Sequence, residues 1–126
     1  MIKAGIELVE PQGAFYLFPR FTPFIPDLKM RGITTSQQLC ETLLEEIGVA
    51  TIPGSDFGRP KENMTLRIAY VDFDGEKVLQ AASGIPLESE LDEKFIRTHC
   101  NNVTTAVDRI CEWITAGNEK KTPKTA

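Results

Sequence analysis

Histidine is nearly absent: the 126 residues carry one, His99, beside three cysteines, Cys40, Cys100 and Cys111. Three is an odd number, and no Cys-x-x-Cys pair occurs. A disulfide framework and a zinc site are therefore unsupported, and each cysteine falls among apolar residues of a helical pattern, as a buried free thiol does. His99 adjoins Cys100, but adjacent helix residues do not face each other, so a Cys–His catalytic pair is not expected. No run approaches the roughly 18 apolar residues of a membrane span, and MIKAGIELVEP lacks the apolar stretch of a signal peptide. The net charge is −4 with scattered lysines and arginines, whereas a nucleic-acid binder shows a basic face. The chain reads as soluble and cytoplasmic, with no membrane or nucleic-acid partner. Its two Asn-x-Thr triplets, at 63–65 and 102–104, carry no meaning without secretion. There is no internal repeat.

With 41% hydrophobic residues, the chain is long enough to bury one core. GIELV (5–9) suggests a short strand broken by Pro11. Gln12-Gly13 turn into AFYLF (14–18), a strong strand closed by Pro19. Residues 19–34 hold three prolines and a glycine and read as an irregular connection. That connection also carries Phe21, Phe24, Ile25, Leu28 and Met30, so it should pack against something, a missing partner included. Thr35 and Gln38 have capping-box spacing ahead of a helix with Leu39, Cys40, Leu43, Leu44 and Ile47 on one face, and Gly48 stands at its C-terminal cap. VATI (49–52) reads as a short strand ended by the turn Pro53–Gly58.

Thr65–Val71 alternates as a half-buried strand does, with Leu66, Ile68 and Tyr70 on one side and Thr65, Arg67, Ala69 and Val71 on the other. Arg67 is the residue to explain. Its guanidinium stays charged and offers a planar fork of donors suited to a carboxylate or phosphate. It is either a solvated or glutamate-paired surface arginine or an anion clamp at a cleft wall. Downstream, Asp72-Phe73-Asp74-Gly75-Glu76 begins like a calcium loop but lacks the later oxygen ligands, so it reads as a turn capping a short helix at 76–82. Ser83–Pro86 breaks the chain. From Ser89 a long helical pattern runs through Leu91, Phe95, His99, Val103, Val107, Ile110, Cys111 and Ile114, with Asn101-Asn102 as a weak middle. GNEKKTPKTA looks like a solvated tail. Three strands backed by helices make an α+β layer, a three-stranded small sheet with a long C-terminal helix.

PQGAFYLFP (11–19), LCETLLEEIGVATIPGSDFG (39–58) and LRIAY (66–70) occur in that order with fitting spacing. Together they resemble the C-terminal small domain of fold-type I, pyridoxal-phosphate-dependent class I/II aminotransferases of the aspartate-aminotransferase-like group. The resemblance covers residues 1–116, with 117–126 as a flexible tail. It implies that Arg67 binds the α-carboxylate of an amino-acid substrate. It also implies that the chain belongs to a longer enzyme, a transferase that passes an amino group between an amino acid and a 2-oxo acid. The Schiff-base lysine and the other pyridoxal 5'-phosphate-binding residues belong, on this resemblance, to a large domain without counterpart here. These residues alone are then expected to be inactive, with no catalytic, cofactor-binding or metal residue of their own, and the full-length protein to be a homodimer. GAFY and GVATIPGSDFG are expected to be strand and turn framework beside the cleft mouth, and Phe15, Tyr16 and Phe57 to pack in the core, with contact to a substrate side chain as the alternative. A different class of function is a free-standing, non-catalytic module that binds carboxylates or a protein partner, with 19–34 as the partner surface.

Overall fold

The computed structural model describes residues 1–119. Among them three short strands, β1 (Tyr16–Leu17), β2 (Ile52–Pro53) and β3 (Leu66–Ala69), form one antiparallel sheet in the order β1-β3-β2. Five helices surround it: α1 (Ile25–Met30), α2 (Ser36–Ile47), α3 (Gly75–Ala82), α4 (Glu93–His99) and α5 (Asn101–Glu119). This is the expected α+β layer with LRIAY at its centre.

The sheet has two faces because the strand period is two. Leu66 and Ile68 of β3 point inward and are buried, while Arg67 is half-buried and Ala69 exposed on the opposite face. Tyr16 pairs with Ala69, and Ile52 with Arg67, so both stand on the arginine's face. The inner face meets Leu39, Cys40 and Leu43 of α2 and Ile110 and Ile114 of α5 in a single core.

Helix α2 forms as its sequence dictates. The Thr35 hydroxyl accepts from the Gln38 N–H, and Gln38 Oε1 reaches back to the Thr34 N–H, one residue earlier than an ideal capping box. Gly48 closes the helix at φ 68°, a conformation that costs side-chain-bearing residues energy. Leu39, Cys40 and Leu43 are buried, but Leu44, assigned to the same face, is exposed.

Several local expectations fail, each for an identifiable reason. GIELV is not a strand. Residues 2–4 make a 3-10 turn ended by left-handed Gly5, and only Glu7 pairs, as a bridge to Arg20. VATI contributes only Ile52 to β2, and AFYLF only Tyr16–Leu17 to β1, because Ala14 at φ 67° starts the strand late. The connection 19–34 is not irregular. Thr22–Phe24 forms a 3-10 turn that leads into α1, and Pro23 and Pro26 occupy first-turn positions where a missing N–H is harmless. Of its apolar residues named above, Phe21, Phe24 and Leu28 lie in the core, Ile25 packs against it half-buried, and Met30 stays exposed. Most of the apolar surface expected there to meet a partner is thus used by the chain's own core.

Asp74 caps α3 by accepting from the Lys77 N–H, the turn-and-helix reading of that segment. The long helix expected from Ser89 is two helices. Asp92 caps α4, and Cys100 at φ −122° leaves the helical region before α5 begins. In a continuous helix Arg97 and Asp108 would stand about 16 Å apart; the break folds α4 back so that their side chains meet at 2.8 Å. Helix α5 continues past residue 116 to Glu119, and the rest of the expected tail, 120–126, lies outside the described residues.

Candidate active-site face

The Arg67 face is built by the two connections that flank β3. On one side Tyr70 donates its hydroxyl hydrogen to the Ala14 carbonyl, which anchors the turn into β1. Tyr16 then projects beside Ala69, with its ring centroid 4.3 Å from the Arg67 guanidinium carbon. On the other side β2 enters a 3-10 turn, Gly54–Phe57, that ends at left-handed Gly58. Gly54 donates its N–H to the Thr65 carbonyl at 2.7 Å, which presses this turn against the start of β3. The turn delivers Phe57, whose ring centroid is 4.5 Å from the same guanidinium carbon.

Arg67 therefore contacts two aromatic faces contributed from opposite sides of its strand. Each ring's quadrupole attracts the cation, by about 0.5–1 kcal/mol in a partly exposed setting. Among the described residues no carboxylate pairs with Arg67, although other arginines are paired: Arg20 with Glu7, Arg31 with Glu46, and Arg97 with Glu93 and Asp108. The glutamate-paired reading of Arg67 is thus not what the structure presents. The in-plane donors of its fork lie at the edge of the guanidinium, where ring faces do not compete for them.

Phe15, Tyr16 and Phe57 are not core residues. They are 63%, 43% and 44% exposed, so the packing expected of them does not occur, and the structure instead places two of the three against Arg67. Phe18 belongs to the same face and was not singled out as a site residue. It is 44% exposed and meets Phe57 edge-on at 5.9 Å. The alternation of AFYLF, which sets Tyr16 and Phe18 on one side of the strand, carried the signal for it. The thiols stand apart: Cys40 is buried beside Thr51, whose hydroxyl lies 3.2 Å from Sγ, and burial pushes its pKa up. The His99 ring packs on Phe95 at 4.5 Å.

The family model for aminotransferase class I and II matches residues 1–85. The chain belongs to this family. As a class I and II aminotransferase chain it is 39% identical over 70 residues to the mitochondrial alanine aminotransferase of Saccharomyces cerevisiae, a match covering 53% of this chain and 12% of that protein. It is 42% identical over 68 residues to the aspartate aminotransferase of Pyrococcus abyssi, covering 54% and 15%. The crystal structure of an aromatic aminotransferase from Pyrococcus horikoshii superposes with a TM-score of 0.54 at 26% identity, over 91% of this chain and 21% of that one. The chain thus spans a small part of the length of the relatives it matches. Among its described residues no helix is long and apolar enough to cross a membrane.

Proposed function

We propose that this chain is the C-terminal small domain of a pyridoxal-phosphate-dependent aminotransferase, in which Arg67 binds the α-carboxylate of an amino acid and of the matching 2-oxo acid. The observation that carries the reading is the half-buried guanidinium at the centre of the sheet's open face, which pairs with no carboxylate among the described residues. A carboxylate can take two parallel hydrogen bonds from such a fork, which sets its orientation as well as its charge. Orientation matters because the bond to be broken at the α-carbon must be aligned with the cofactor that supplies the electron sink.

The chain's own residues do not fit the cofactor. An imine-forming lysine needs a desolvated setting, and the described lysines, Lys3, Lys29, Lys61, Lys77 and Lys94, are all exposed. The proposal accordingly assigns cofactor binding to a large domain elsewhere in a longer polypeptide and leaves these residues inactive alone. It includes the homodimer of the full-length protein that the resemblance implies. A cytoplasmic location belongs to the same proposal, and the three free thiols suit a reducing compartment.

The test is the mass of the native polypeptide, by immunoblot with an antibody against this domain. A band several times heavier than 14.0 kDa supports an intact cofactor enzyme. A band at the chain's own mass overturns the enzymatic reading, and transaminase activity of the purified 126-residue chain with added cofactor would overturn the proposed inactivity of these residues alone.

A further inference from the structure

The rings that meet Arg67 have a more specific consequence than packing. A long cationic side chain on a sheet's open face ordinarily samples many rotamers, and capturing a ligand then costs about 2 kcal/mol of side-chain entropy. Arg67 is different because two rings reach its guanidinium from opposite flanks of β3. Both rings are themselves held. Tyr16 is in a paired strand, opposite Ala69, and its turn is fastened by Tyr70. Phe57 is held by the Gly54–Thr65 hydrogen bond behind it and by the edge of Phe18 beside it. Neither ring is buried, so the core does not explain them: 43% and 44% of their surfaces stay open.

We propose that Tyr16 and Phe57 are positioning residues that pre-set the Arg67 guanidinium for an incoming carboxylate, acting through their ring faces and not through the Tyr16 hydroxyl. This rests on the carboxylate reading of Arg67. The rings occupy the cation's faces, which leaves its hydrogen-bonding edge to the ligand. Because the guanidinium is already restrained, less freedom is lost on binding.

The experiment uses the 126-residue chain, with acetate as the probe and chloride at matched ionic strength as the control. NMR follows the Arg67 Nε–Hε signal in wild type and in Tyr16→Phe, Tyr16→Leu, Phe57→Tyr and Phe57→Leu. In wild type the signal should lie upfield through the ring currents and should shift with acetate but not chloride. The two ring-preserving variants should match wild type. Each leucine variant should lose part of the upfield shift and bind acetate about two- to five-fold more weakly, the fold-change expected when part of the side-chain ordering cost returns. Unchanged thermal unfolding would confirm that the leucine variants still fold, as expected for half-exposed rings. Leucine variants that bind acetate as well as wild type would overturn the positioning role while leaving the carboxylate reading of Arg67 intact. So would a wild-type signal without a ring-current shift. An Arg67 signal that responds equally to acetate and chloride would overturn the carboxylate reading itself, and the positioning role with it.

Discussion

Gly54 stands so close to Thr65 that a Cβ at position 54 would lie 2.9 Å from the Thr65 carbonyl oxygen and 3.0 Å from its Cβ. Both atoms lie on or next to the backbone immediately before β3, so neither can yield as the end of a flexible side chain would. Gly54→Ala should therefore push the Gly54–Phe57 turn off the strand, weaken the 2.7 Å hydrogen bond from Gly54 and displace Phe57 from Arg67. A stability loss of about 1–3 kcal/mol is expected, as for other overpacked sites. Urea unfolding measures it, and an unchanged midpoint would mean that the turn relaxes freely.

The family match ends at residue 85, yet Ile110 and Ile114 of α5 are buried in the same core as Leu39, Leu43 and Leu66. The Trp113 indole N–H also donates to Glu46 of α2, while Arg31 pairs with Glu46 and lies over the Trp113 ring. Ile110→Ala should cost about 2–5 kcal/mol, the range for a buried aliphatic truncation. Removing residues 101–126 should leave a chain without a cooperative unfolding transition. A cooperative transition in that truncated chain would show that α5 is an accessory and not part of the core.

Arg97 ties α4 to α5, and its hydrogen bond to Asp108 holds that carboxyl below the usual carboxylate range. A carboxyl with a depressed pKa in the folded chain binds fewer protons there than in the unfolded chain. Its contribution to stability is thus complete above the ordinary value near pH 4 and is lost as pH falls through the folded pKa. Both side chains are about half exposed, so the effect is small and screened by salt. The Asp108→Asn variant should show a shallower loss of stability than wild type as the pH falls below the ordinary carboxylate value near about 4. Parallel acid curves for the two proteins would remove this pair from the account.

In a full-length enzyme of the proposed kind, Arg67→Lys would keep the charge but lose the fork and its fit to the two rings. A fall in kcat/KM on the order of 10²–10³, about 3–4 kcal/mol, is expected. Steady-state kinetics of the variant against a range of amino acids would measure it. Unchanged kinetics would take Arg67 out of the substrate site.

What could be read without coordinates was whatever depends on local periodicity and capping. The alternation of LRIA determined which side chains of the central strand are buried, since successive residues of a strand must face opposite ways. Thr35 and Gly48 bounded α2 because the caps satisfy backbone groups within a few residues of themselves. Where a neighbour far along the chain competes, local rules fell short. Pro23 and Pro26 looked like breakers, but each sits where a helix tolerates it, and the core behind Phe24 and Leu28 rewards the helical turn. The apolar stripe from Leu91 to Ile114 suggested one helix; the Arg97–Asp108 contact requires two.

The same division holds for the candidate site. The sequence alone determined that a permanently charged residue stands on the open face of a central strand, because period and charge are properties of the residues themselves. Only the tertiary structure decided what surrounds it. Tyr16 and Phe57 lie 51 and 10 residues from Arg67 in the chain, and no periodicity relates them to it. They meet it because β1 and β2 pair on opposite sides of β3, and sheet pairing is a choice the whole core makes.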